Sequence, residues 1–114
     1  MLNHIVLLKF KPGVTENDIN KLEELLDDLP NHISEILVYE FGRNTIPSER
    51  AYDFALVSLF ANPETLERYR QHPEHLKALD HIKDICENII TTDFLGSDAS
   101  SIKEPIPDMG LPDF

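Results

Sequence analysis

The sequence is poor in cysteine, in basic residues and in long apolar runs, and each shortage excludes a class of protein. Cys86 is the only cysteine in 114 residues, which rules out an intramolecular disulfide and a zinc finger. Ten basic residues stand against 21 acidic ones, and the formal net charge of -11 disfavours nucleic acid and anionic membrane surfaces as partners. No apolar run is long enough to span a bilayer, and no secretory signal pattern is present. We therefore expect a cytoplasmic protein.

Motifs for cofactors and transition metals are also missing. The sequence contains neither G-x-G-x-x-G nor a P-loop, and no H-E-x-x-H or similar ligand pattern. His72 and His75 are three residues apart, but His72 precedes a predicted helix, so the two rings need not converge on one ion. We therefore predict no cofactor and no side-chain metal site.

Apolar alternation predicts four strands. They cover residues 3–10, 35–43, 51–60 and 88–94. The third is apolar on both faces, whereas an antiparallel strand with one wet face should alternate apolar and polar residues. Something must therefore cover its second face.

Helix start signals divide the rest of the chain. Thr15 is a predicted N-cap, and the apolar stripe that follows it is predicted to stop at Pro30. Asn62 and His72 each precede a proline, which is a favoured first helical residue. The resulting order is β-α-β-β-α-β with the second helix broken in two. This order predicts an α+β, ferredoxin-like fold with a four-stranded antiparallel sheet.

The two-faced strand at residues 51–60 has a consequence for assembly. Helices in this order cover one face of the sheet and leave the other bare. A homodimer in which two sheets pack face to face would bury the bare face, and a short chain gains from that burial. The sequence therefore predicts a homodimer.

Residues 69–75, YRQHPEH, place a tyrosine and two histidines at the predicted helix joint. His75 would be the third residue of its helix, where the helix dipole favours a neutral imidazole. Such a ring can act as a general base, and the Tyr69 hydroxyl can polarise a carbonyl. Alternatively, His72 caps the helix, His75 bonds a carbonyl and Tyr69 packs in the core. The residues alone leave both interpretations open.

Taken together, the segments HIVLLKFKPGV, FGRN, YDFALVSLF, YRQHPEH and TTDF resemble the stress-responsive α/β-barrel family, called Dabb. The resemblance predicts a Dabb-type domain at residues 1–95 and a Pro/Gly/Ser-rich tail at residues 96–114. It implies a ferredoxin-like subunit that forms a dimeric α/β barrel. Some relatives hold a cation on backbone carbonyls after the first helix, here near residues 30–36, where side chains leave no signature.

One plant branch of the family looks like a polyketide cyclase, and it suggests site residues. By motif, Tyr69 and His75 match its acid–base pair, and His4 matches a histidine on its first strand. A further histidine on its third strand corresponds to Phe54 here, which argues against the same substrate. If the protein is catalytic, the resemblance implies His75 as base, Tyr69 as acid and His4 as an orienting group.

Three functions stay open at this point. The first is a stress-responsive homodimer that binds a small aromatic or polyketide-like ligand near His75. At the same pocket, a cofactor-free enzyme with cyclase-like acid–base chemistry is the alternative. The second is a non-enzymatic stress protein whose dimer is itself the functional product. The third is a cofactor-free monooxygenase, which rests on fold analogy alone.

Overall fold

A computed structural model describes residues 1–96 of the chain. Its elements are β1 Leu2–Phe10, α1 Glu16–His32, β2 Val38–Arg43, β3 Phe54–Phe60, α2 Pro63–Gln71, α3 Pro73–Ile85 and β4 Cys86–Leu95. The predicted βαββαβ order, with the second helix broken in two, is confirmed. Apart from Gly96, the predicted tail lies outside the described residues.

The four strands form one antiparallel sheet in the order β2-β3-β1-β4. The two central strands, β1 and β3, are the most apolar, and the two edge strands carry more polar residues. In this register His4 on β1 lies opposite Ser58 on β3 and Asp93 on β4. The predicted ferredoxin-like α+β fold is confirmed.

The three helices pack on one face of the sheet, here called the inner face. On β1 and β3 the even-numbered residues point to it and are buried, from Leu2 to Leu8 and from Phe54 to Phe60. Helix α1 adds Leu22, Leu26 and Leu29 to the same core. The alternation of the strands therefore decides which side chains face the helices.

The opposite face, here called the outer face, is also apolar. It carries the odd-numbered residues of β1 and β3, and four-tenths or more of the surface of Val57, Ile90 and Phe94 is exposed. The predicted two-faced character of β3 is thus confirmed. No helix in residues 1–96 is both long and apolar enough to cross a membrane.

Three N-caps hold the helix starts. Thr15 and Asn62 each accept a hydrogen bond from the backbone N–H three residues later, and each is part of a capping box. His72 caps α3, because its Nδ1 accepts from the Glu74 N–H at 3.1 Å. The capping interpretation of His72 is therefore confirmed.

The prediction that Pro30 ends the first helix is wrong. Pro30 lies inside α1, which continues to His32, and the Ile33 N–H closes the last turn on the Leu29 carbonyl at 3.0 Å. A proline this close to the C-terminal end costs the helix one hydrogen bond, which the closing turn tolerates. Two strands also start later than predicted, β2 at Val38 and β3 at Phe54.

Candidate functional site

A cavity of about 260 Å³ lies between the inner face of the sheet and the helices. It is slightly smaller than the usual small-molecule pocket, which measures roughly 300–1,000 Å³. All three residues predicted for the site line it. Its walls are formed by His4, Val6, Leu8, Leu26, Leu56, Tyr69, Arg70, His75, Ala78, Leu79, Ile82, Ile89 and Thr91.

The lining divides into a polar part and an apolar remainder. The polar side chains are His4, Tyr69, Arg70, His75 and Thr91, and aliphatic side chains make up the rest. Phe54, which stands where the plant cyclases have a histidine, does not line the cavity. It is only 1% exposed and stacks on Phe41, with ring centroids 6.0 Å apart. The space near His75 is therefore open rather than filled by Phe54.

His75 is the third residue of α3, at the joint with α2. Its Nδ1 lies 2.9 Å from the backbone carbonyl oxygen of Arg70, and because a carbonyl only accepts, Nδ1 carries the hydrogen. Burial lowers the pKa of His75, the hydrogen bond to Arg70 opposes this, and a smaller electrostatic interaction with His4 adds to the lowering. The ring is therefore neutral at neutral pH, with its lone pair on Nε2.

The predicted neutrality of His75 has burial as its main cause, whereas the sequence argument relied on the helix dipole. The ring packs against Tyr69, with centroids 4.4 Å apart. Burial of an imidazole disfavours its charged form, because the cation loses its hydration. His75 is half-buried, and its neutral imidazole has a lone pair that can accept a proton.

Tyr69 is buried on the inner side of α2, and its ring contacts His4, Phe60 and His75. Its hydroxyl oxygen lies 2.7 Å from that of Tyr39 on β2. Burial raises the pKa of Tyr69 to about 12, and the pKa of Tyr39 is raised further, again mainly by burial. Both hydroxyls therefore keep their protons at neutral pH, and one donates to the other.

His4 is 5% exposed and is held by a carboxylate. Its Nδ1 lies 2.5 Å from Oδ1 of Asp93, the residue directly opposite on β4. The other carboxylate oxygen of Asp93 accepts from Nη2 of Arg70 at 2.9 Å. Strand register and the end of α2 thus bring His4, Asp93 and Arg70 into one network.

The sequence interpretation missed Tyr39, Arg70 and Asp93. Tyr39 shares a face of its strand with Phe41 and so resembled an ordinary core residue. Arg70 lies inside YRQHPEH, but no role was predicted for it. Asp93 in TTDF becomes visible only when β1 and β4 are paired, because the register then places it opposite His4. The pairing of β1 with β4, which a ferredoxin-like sheet implies, is the signal that could have identified Asp93.

Neither a cluster of metal ligands nor an ionised thiol is found among residues 1–96. Within residues 1–96, no group of three or more His, Cys, Asp or Glu side chains could hold a metal ion. Cys86 is buried, and burial raises the pKa of its thiol to about 11. The thiol is therefore protonated at neutral pH and behaves as a small apolar side chain.

Solved structures of other proteins share the fold. A dimeric ferredoxin-like protein of unknown function from Bacteroides fragilis is 32% identical, with a TM-score of 0.74 over 82% of this chain and 93% of its own. A second such protein, from Thermobifida fusca, is 28% identical, with a TM-score of 0.76 over 82% of this chain and 88% of its own. A hydroxynitrile lyase from Passiflora edulis is 18% identical, with a TM-score of 0.76 over 85% of this chain and 94% of its own, and that likeness shows the fold alone.

The family follows from a longer match. The model of the Dabb family, the stress responsive A/B barrel domain, matches residues 2–95. This range contains all seven elements and every residue of the cavity lining. The resemblance predicted from the sequence is confirmed, and the chain belongs to the Dabb family of stress-responsive A/B barrel domains.

Proposed function

We propose that the protein is a Dabb-type homodimer in which each subunit binds a small aromatic or polyketide-like molecule in the cavity near His75. One observation carries this proposal: His4, Tyr69 and His75, which are distant in sequence or lie on different elements, line the same largely apolar cavity. An apolar cavity with a few convergent polar groups is the usual form of a small-molecule site.

Acid–base catalysis is the chemistry that these groups favour. The Nε2 lone pair of His75 would accept a proton from a phenol or an acidic C–H, because Nδ1 is already a donor to the Arg70 carbonyl. Tyr69 would donate a hydrogen bond to a carbonyl oxygen of the ligand, and the hydrogen of its contact with Tyr39 would then have to come from Tyr39. His4, held by Asp93, would orient the ligand. The monooxygenase alternative stays a fold analogy.

The homodimer is supported by the outer face and by the similar structures. Val57, Ile90 and Phe94 expose apolar surface on one contiguous sheet face, which a second sheet would cover. The similar proteins from Bacteroides fragilis and Thermobifida fusca are described as dimeric. A role in stress and a cytoplasmic location belong to the same proposal, the first supported by the family name and the second by the single cysteine.

A thermal-shift screen of phenolic and β-polyketide analogues tests the ligand site. The wild type is compared with His75→Ala and with a control, His32→Ala, which changes an exposed histidine paired with Asp28 on α1. A ligand at about 100 times its Kd stabilises by roughly 2.7 kcal/mol, which is a shift of several degrees in Tm.

We expect a ligand that stabilises the wild type and His32→Ala but leaves His75→Ala unchanged. The opposite result is a screen without a hit together with a His75→Ala protein that melts several degrees lower without any ligand. That result would show that His75 serves the helix joint and would remove the case for a binding site.

A further inference from the structure

Arg70 is linked to both histidines of the cavity, directly to His75 by its backbone and through Asp93 to His4 by its side chain. Its backbone carbonyl accepts from Nδ1 of His75 at 2.9 Å. Its guanidinium donates to Asp93, which in turn accepts from Nδ1 of His4. Arg70 is near the end of α2, so the end of one helix is linked to α3 by its backbone and to β1 and β4 by its side chain.

The partners on both sides can only accept hydrogen bonds. A carbonyl oxygen and a carboxylate have no hydrogen to offer, so the hydrogen in each of these two contacts belongs to Nδ1 of the imidazole. Both oxygens of Asp93 are occupied, Oδ1 by His4 and Oδ2 by Arg70, which leaves the carboxylate little freedom to rotate. The guanidinium also balances the charge of Asp93 beside a buried ring.

We propose that Arg70 is a positioning residue whose side chain fixes the tautomer of His4 through Asp93, while its backbone carbonyl fixes that of His75, with Nδ1 protonated on both rings. In its neutral form each ring then offers Nε2 as an acceptor in the same cavity. Each Nε2 could accept a hydrogen bond from a ligand hydroxyl or a proton from an acidic C–H group. An ionised carboxylate has no hydrogen to donate to it. This use of the two rings rests on the proposed function, whereas the tautomers are a property of the free protein.

Long-range ¹H–¹⁵N NMR spectra of the ligand-free protein test the inference, because they distinguish a protonated from an unprotonated ring nitrogen. The spectra are recorded above pH 7.5 for the wild type, Arg70→Gln, Arg70→Lys and Arg68→Gln. Arg68 is the matched control, since it lies on the same helix and forms an exposed pair with Glu35 at 3.1 Å.

In the wild type we expect both rings to show a protonated Nδ1. In Arg70→Gln, Asp93 loses its second anchor, so the ratio of the two His4 tautomers should change by about threefold or more, as expected for one weakened hydrogen bond. His75 should keep its tautomer, because the backbone carbonyl remains. Arg70→Lys should restore part of the His4 signal, and Arg68→Gln should change neither ring.

Two results would overturn the inference. The first is a wild-type spectrum in which either histidine carries its hydrogen on Nε2. The second is an Arg70→Gln spectrum in which His4 is unchanged, since Asp93 would then hold the ring without Arg70. Neither result depends on a ligand, so a failure here is distinct from an empty thermal-shift screen.

Discussion

The two faces of the sheet are both apolar, yet they differ in what lies against them. On the inner face the even-numbered residues of β3 meet the helices, and Phe54 and Phe60 are at most 1% exposed. On the outer face of the same strand, Val57 is 42% exposed and has no covering element among residues 1–96. Strand β3 therefore has two apolar faces, and within residues 1–96 other elements cover only the inner one.

The polar groups follow the same division. His4, Tyr69 and His75 line the cavity on the inner side, whereas the exposed apolar side chains of the central strands lie on the outer side. Under the proposed function, ligand binding belongs to the inner face and assembly to the outer face. Variants on the two faces should therefore change different properties, stability on the inner face and self-association on the outer face.

The largest effect is expected from Phe54→Ala on the inner face. Phe54 packs between Phe10 and Phe41, and truncating a buried phenylalanine costs about 3–5 kcal/mol because it removes contacts and leaves a cavity. Urea denaturation measures the free energy of unfolding. A loss of less than about 1 kcal/mol would mean that the inner face can collapse around the gap.

On the outer face, Val57→Glu should weaken self-association. A carboxylate buried between two sheets loses its hydration without gaining a partner, and we expect the dimer to dissociate about 100-fold more readily. Sedimentation velocity over a range of concentrations measures this. The control is Leu76→Glu on α3, because Leu76 is similarly exposed, at 46%, but lies on the helical side. Equal weakening by both variants would contradict the assignment of the faces.

The tyrosine pair should contribute a smaller amount. Tyr39→Phe removes the hydroxyl that bonds Tyr69, and the loss of one such hydrogen bond costs about 1 kcal/mol. The double variant with Tyr69→Phe should cost less than the sum of the two single variants, because the second change removes a bond that is already broken. Additive losses in urea denaturation would show that the two hydroxyls do not interact.

The smallest effect concerns pH. The unfolded chain protonates His75 near the ordinary pKa of 6.5, whereas burial lowers the pKa in the folded chain. Below about pH 6.5 the unfolded state therefore binds more protons, and the stability of the wild type falls as the pH falls, until His75 is protonated in the folded state as well. His75→Gln has no imidazole to protonate. Its stability relative to the wild type should therefore rise as the pH falls below about 6.5.

Stability measurements at pH 7.5 and at several values below 6.5 check this point. At pH 7.5 the protonation term is absent in both proteins, and any difference there reports packing and the hydrogen bond to the Arg70 carbonyl. A stability difference between wild type and His75→Gln that is constant over the whole range would show that His75 titrates normally in the folded protein.

The sequence predicted the fold well because its local signals agree with the final structure. The folded protein has the three predicted caps, at Thr15, Asn62 and His72. Its strand β3 is apolar on both faces, as predicted. The predicted helix end at Pro30 was wrong because a helix tolerates a proline in its last turn. Whether the helix continues past the proline depends on how the following turn closes.

The candidate site was predicted in part. His4, Tyr69 and His75 were named through motifs, and the structure brings all three to one cavity. Their partners Tyr39 and Asp93 were missed because they lie on other strands, where only register shows which side chains meet. The apolar walls could not be predicted either, since they come from residues that also read as core.

The most direct test of the account is a phenol titration followed through the histidine Cε1–H signals in ¹H–¹³C NMR spectra. The chain has five histidines, and His32 and His81 serve as internal controls, because neither lines the cavity. We predict saturable shifts of His4 and His75 and no shift of the two controls. Equal shifts of all five, or shifts of His32 and His81 alone, would contradict a ligand site on the inner face.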